Sequence, residues 1–233
     1  MVSERRTMNF MVPSNPNSHS SQKGDYEIVN PGAAAMIETL RAYGYTLNTA
    51  IADLIDNSIS ANAKNIWIHL HWNGDASWIS ITDDGTGMDD DVLKNAMRPG
   101  SNNPLEERSA SDLGRFGLGL KTASFSQSRS LTVASRVTGS EICVRRWDLD
   151  YVGDHNEWRL LKEARDGSEG RLIQLEDLEH GSIVLLENLD RLCQNQNPRD
   201  VSQRRKFFCR MDSLKQHVSM IFHRFMEGRD GIN

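Results

Sequence analysis

The chain has 233 residues, 38% of them apolar and 25% charged, and a net charge of −5. That length and balance suit one full domain with part of a second, able to bury a core without disulfides or structural metal. They argue against a polyanion-binding molecule as a whole, and no apolar run approaches the ~20 residues of a membrane span.

Residues 1–25 are rich in Ser, Asn and Pro (VPSNPNSHSSQKG) and read as a flexible arm without a signal-peptide core. Pro31 and Gly32 open a helix, AAAMIETLRAYGY, that ends at Gly44. Thr46 caps a second, LNTAIADLIDNSISA, with Leu47, Ala50, Ile51, Leu54, Ile55 and Ile59 on one face. NIWIHLHW alternates as a strand, Asn73-Gly74-Asp75 turns, and SWISITD returns, which predicts a hairpin. DDGTGM forms a glycine-rich loop, and 89–97 a short helix. Residues 98–113 have no period and many turn formers, the signature of a lid or a disordered segment. GRFGLGLKTASFS is a second glycine-rich loop entering a helix. SLTVASRV, EICVRRWDLD, RLIQLEDL and SIVLLENL read as strands. A long helix over 199–226 carries Phe207, Met211, Leu214, Val218, Ile221, Phe222 and Phe225 as its apolar stripe. Residues 198–233 hold eight Lys/Arg against four acids, which fits a solvated helix face or a nucleic-acid or partner surface.

This order predicts an α+β fold, a mixed and largely antiparallel sheet with helices on one face. Strict βα alternation, as a doubly wound sheet requires, is missing. Cys143, Cys193 and Cys209 lie far apart with no zinc spacing. They read as free thiols in a reducing compartment, and the protein as cytoplasmic.

Three segments carry chemistry. Asp53 and Asn57 are four apart and share a helical face that also presents Asp56 nearby. A carboxylate there can orient a water, and an amide oxygen suits Mg²⁺; a solvent-facing polar stripe is the alternative. Asp83, at a strand end, can accept from an exocyclic amine such as that of adenine. Gly85 and Gly87 allow close backbone approach and Met88 can pack on a base, although Asp-Gly is also ordinary turn chemistry. In GRFGLGLKT, glycines at a helix start expose N–H groups to an anion and Lys121 adds a point charge. Neither the Walker pattern nor a dinucleotide fingerprint is matched.

Together, in this order, the three segments resemble the GHKL superfamily of gyrase, the heat-shock chaperone group, histidine kinases and MutL. ADLIDNSISA is similar to its acid-xxx-Asn segment, DDGTGM to its adenine segment and GRFGLGLK to its phosphate loop. The last is most like the MORC and MutL-like branch and its bacterial relatives. The resemblance implies a Bergerat-type two-layer sandwich over 26–190, with a lid at 98–113. It implies Mg²⁺-dependent ATP binding and hydrolysis. Asp53 would act as general base, Asn57 as Mg²⁺ ligand and Asp83 as adenine acceptor. Gly85, Gly87 and Met88 would line the base pocket. Gly114, Arg115, Phe116, Gly117, Leu118, Gly119 and Lys121 would form the phosphate loop, and Ser182 would reach adenine through water. Arg115 serves equally well in a structural salt bridge.

The family most often has Glu where this chain has Asp53, one methylene shorter, so hydrolysis is expected to be slow. In gyrase- and MutL-like members a lysine from a following transducer domain reaches the γ-phosphate. Residues 191–233 read as a linker and helix at the start of such a domain. The resemblance further implies a nucleotide-dependent homodimer, with the arm reaching across the partner. A DNA or protein client would act through a following domain, in a DNA-associated or defence role. An ATP-regulated, non-hydrolysing interaction module is the alternative. A histidine kinase fits less well, because His19 is the only histidine upstream and lies in the arm.

Overall fold

Thr46 begins the helix around which the fold is arranged. Its hydroxyl accepts from the Thr49 N–H at 3.2 Å while its own N–H donates to Thr49 Oγ1 at 3.0 Å, a reciprocal cap that starts α2 (Leu47–Ser60). The computed structural model describes residues 26–27, 29–42, 44–100, 119–193 and 196–227. Residues 31–233 cluster as one unit and 1–30 as another. In the latter, residues 26, 27, 29 and 30 are exposed and carry no helix or strand. The predicted arm (1–25) and most of the predicted lid (98–113) lie outside the described residues.

In the larger unit, α1 (Ala33–Arg41) precedes α2, and β1 (Ile66–His71) and β2 (Trp78–Asp83) form the expected hairpin. α3 (Asp90–Met97) is capped by Asp89, whose carboxylate accepts from the Val92 N–H at 2.9 Å. Then come α4 (Gly119–Gln127), β3 (Ser130–Arg136), β4 (Cys143–Asp148) and α5 (Leu149–His155). β5 (Gly181–Glu187), α6 (Asp190–Cys193), α7 (Val201–Ile221) and α8 (His223–Met226) complete the described elements.

The sheet order is β1-β2-β5-β3-β4 and every ladder between these strands is antiparallel. β5 lies between β2 and β3, so those two strands run in the same direction. The chain therefore crosses over between them, and α3 and α4 lie on that path. The main core forms between the sheet and the helices. Ile51, Leu54 and Ile55 of α2 meet Ile79, Ile81, Leu131, Val133 and Leu186 of the strands. This is the α+β two-layer arrangement with helices on one face, as a Bergerat-type fold requires.

Three local expectations need correction. RLIQLEDL is not a strand: one 3-10 turn, Glu169–Arg171, ends on its first residue and a second, Ile173–Leu175, lies within it. Its buried leucines, Leu172 and Leu175, recur at three, the 3-10 period, and seal a smaller cluster with Ala134, Ile183 and Leu185 on the sheet's other face. EICVRRWDLD stops as a strand at Asp148, whose side chain accepts from the Tyr151 N–H and caps α5 instead. The long C-terminal helix breaks at Phe222 into α7 and α8. Phe207, Met211, Leu214 and Phe222 are buried as its stripe predicts, but Ile221, the last residue of α7, is exposed. No described helix is long and apolar enough to cross a membrane.

Candidate functional site

The C-terminal end of β2 meets the start of β5, and Asp83 pairs with Ser182 across that ladder. Burying Asp83 raises its carboxyl above the ordinary range, and bonds from the Gly85 backbone, the Ser58 hydroxyl and the Ser182 backbone work against that shift. The Gly85 N–H donates to Oδ1 at 2.9 Å and the Ser58 hydroxyl, from α2, donates to Oδ2 at 2.9 Å. A carboxylate has about four acceptor sites, so Asp83 can still accept from a ligand. The adjacent Asp84 is an anchor: it takes the Lys64 and Asn65 N–H groups and the Asn65 amide, each at 2.8 Å.

The loop after β2 is held closely. Gly87 has φ +68°, and a Cβ there would run into the Arg136 carbonyl oxygen at the end of β3. Gly181 has φ +143°, and a Cβ there would meet the Asp83 carbonyl oxygen. Both positions therefore admit only glycine without strain. Beside them the Ser135 hydroxyl accepts from the Met88 N–H, donates to the Gly181 carbonyl and contacts Ser182 Oγ, each at 2.8 Å. A hydroxyl has one proton. With that of Ser135 on Gly181, Ser182 donates to Ser135 and offers only lone pairs elsewhere.

A cavity of about 490 Å³ opens over this floor. Asn57 and Ser58 line it from α2, Asp83 and Ser182 from the sheet, Gly87 and Met88 from the loop, and Gly119 and Lys121 from the start of α4. It thus unites residues from all three predicted segments. Gly85 lies beneath, its N–H on Asp83. Gly114, Arg115, Phe116, Gly117 and Leu118 lie outside the described residues. Lys121 is buried, which pulls its ammonium down to about 8, and Nζ donates to the Ala96 carbonyl at 2.7 Å near the end of α3.

Asp53 is half-buried on α2, one turn before the exposed Asn57. The Tyr45 hydroxyl donates to its Oδ2 at 2.7 Å. Burial, then the charge of Asp53, raises the Asp56 carboxyl. A metal here must find most ligands elsewhere, because no cluster of three or more His, Cys, Asp or Glu side chains suits one among the described residues. Asn57 lines the cavity with an amide oxygen, a donor that would suit Mg²⁺, which keeps waters and binds through substrate phosphates with one or two protein oxygens.

Sequence reading missed Tyr45, Ser58 and Ser135. Ser58 sits beside Asn57 in the motif, but a helical serine is unremarkable until a partner faces it. Ser135 and Tyr45 carry no local signal, since their partners lie 46 or more and eight residues away.

A family profile described as histidine kinase-, DNA gyrase B-, and HSP90-like ATPase matches residues 45–182, more than half of the chain. The chain belongs to this ATPase family. The match begins at Tyr45 and ends at Ser182, so it spans the cavity from α2 to the start of β5. Membership in the family implies binding of ATP with Mg²⁺ at such a site. The chain is also similar to the DNA mismatch repair protein MutL of Clostridium acetobutylicum, 32% identical over 115 residues. That stretch is 46% of this chain and 18% of that protein, so the chain covers less than a fifth of that relative.

Proposed function

We propose that the chain binds Mg²⁺·ATP in this cavity and hydrolyses it to ADP and phosphate. The supporting observation is the convergence of an acceptor floor, Asp83 and Ser182, with Asn57 and the start of α4 around one space. The floor suits an exocyclic amine, because a carboxylate and a hydroxyl with its proton committed present acceptors. Gly119 and Lys121 lie where phosphates would meet N–H groups and a positive charge. Mg²⁺ on Asn57 would neutralise charge on those phosphates. Asp53, one turn away, would orient and deprotonate the attacking water. Phosphoryl transfer asks mainly for such positioning and charge neutralisation.

Residues 98–113 and the phosphate loop would close over the nucleotide, and closure would promote a homodimer. The likeness to a DNA mismatch repair protein supports a DNA-associated output through a DNA or protein client; a defence-related output is the other form this reading takes. Calorimetry with a non-hydrolysable ATP analogue and a phosphate-release assay test the core of this reading. Asp53→Ala is expected to abolish turnover while the analogue still binds; an unchanged rate overturns the assignment of Asp53. Light scattering with and without analogue tests the dimer.

The second reading is an ATP-regulated module that does not hydrolyse. It is favoured by the short side chain of Asp53, one oxygen of which is already engaged by Tyr45. Nucleotide-induced dimerisation without phosphate release would decide for it.

A further inference from the structure

We propose that Tyr45 is a positioning residue for Asp53, holding its carboxylate in the orientation that serves the attacking water. The inference rests on the reading of Asp53 as the general base.

The bond itself is short and directional: the Tyr45 hydroxyl donates to Asp53 Oδ2 at 2.7 Å. Tyr45 is itself fixed at three points. Its half-buried side chain packs against the main core. Its backbone carbonyl accepts from Gln127 Nε2, at the end of α4, at 3.2 Å. The next residue is the cap of α2, whose reciprocal bonds with Thr49 fix the entry of the chain into the helix. A side chain so held can transmit its position to the carboxylate.

The far side of the hydroxyl meets α4. The Thr122 side chain, one residue beyond the cavity-lining Lys121, is near enough to pull the Tyr45 hydroxyl down, against the burial and the Asp53 charge that raise it. Tyr45 therefore links the helix start that borders the cavity to the acid on α2. Of the two carboxylate oxygens, Oδ2 faces this link, and the in-plane lone pairs of Oδ1 are oriented by it. An aspartate has less reach than the glutamate usual in the family. A small rotation about its side-chain bonds therefore costs a larger share of the alignment with a water, and misplacement by about 1 Å can cost on the order of 100-fold in rate. A fixed donor on one oxygen removes that freedom.

The test compares the full wild-type chain with Tyr45→Phe and Asp53→Ala. Tyr45→Phe keeps the ring and its packing and removes only the donor. Phosphate release gives kcat and KM, calorimetry gives the Kd of a non-hydrolysable ATP analogue, and thermal melting reports the fold. Tyr45→Phe is expected to lower kcat about tenfold, part of the roughly 100- to 10,000-fold that a general base contributes. KM and the analogue Kd should stay within about twofold, because the bond acts on the water and not on substrate binding. An unchanged kcat in Tyr45→Phe beside an inactive Asp53→Ala overturns the role of Tyr45 and leaves that of Asp53 standing. So does a loss of kcat that comes with equal loss of analogue affinity and a lower melting temperature. Turnover that survives Asp53→Ala, or a wild-type chain with none, overturns the reading of Asp53 and the role of Tyr45 with it.

Discussion

Ser58 donates its hydroxyl to Asp83 Oδ2 at 2.9 Å, tying the helix that carries Asp53 and Asn57 to the strand end that floors the cavity. The bond favours the ionised carboxyl, against the burial that raises it. Ser58→Ala should therefore push Asp83 further up. A protonated Asp83 loses acceptor capacity, so ATP affinity should fall on acidification, and at a higher pH in Ser58→Ala than in the wild type. Calorimetric Kd values across about pH 4 to 7 check this, and coincident profiles would contradict it. The sign for stability follows from the raised carboxyl. Its contribution is fully present below the unfolded value of 3.8 and is lost as pH rises through the higher folded value.

Gly87→Ala should destabilise the fold by at least about 1–3 kcal/mol, because φ +68° is strained for alanine and its Cβ would collide with the Arg136 carbonyl oxygen. Backbone cannot yield there without opening the β3–β5 ladder that holds Ser135 and Ser182. Gly153→Ala is the control. It lies inside α5 with nothing within 4 Å of an added Cβ, and should stabilise by about 0.5–1 kcal/mol. Denaturant unfolding of both variants measures the contrast.

Burial leaves the Lys121 ammonium at about 8, so a fraction of it is neutral in mildly alkaline solution. A triphosphate beside it would restore the charge, and binding should take up a proton there. Calorimetry in two buffers of different ionisation enthalpy reads that uptake, and Lys121→Met should lose it. Absence of uptake in the wild type would remove Lys121 from the phosphate site. In the nucleotide-free chain the depressed value also sets a stability slope. Relative to Lys121→Met, the wild type should gain stability between about 8 and 10.5 and lose it as pH falls through about 8.

Arg41 is buried, and its guanidinium donates to Asp190 Oδ2 at 2.6 Å and to the Ser128 carbonyl at 3.2 Å. Asp190→Ala leaves that charge only the exposed Glu38 carboxylate, 3.6 Å from Nε, and should cost up to roughly 3 kcal/mol. Arg41→Met with Asp190→Ala should recover part of the loss, since it removes a buried cation that has lost its nearest partner. A double-mutant cycle on unfolding free energies decides this.

The sequence alone determined the α2 helix and its apolar face, because Ala50, Ile51, Leu54 and Ile55 recur at the helical period and Thr46 supplies a cap. It also determined the β1–β2 hairpin and the three glycine- and acid-bearing segments, whose signals are local in spacing and residue type. Tertiary structure decided the rest. Only the sheet order β1-β2-β5-β3-β4 brings Ser182 beside Asp83, because strand pairing depends on closing a loop across roughly a hundred residues and no local pattern records it. The strand-like composition of RLIQLEDL gave way to 3-10 turns because Leu172 and Leu175 had to reach one patch on the sheet's outer face. The partners of Asp83 and Asp53, namely Ser58 and Tyr45, are ordinary residues in the linear chain. They acquire meaning only when packing turns one hydroxyl toward each carboxylate.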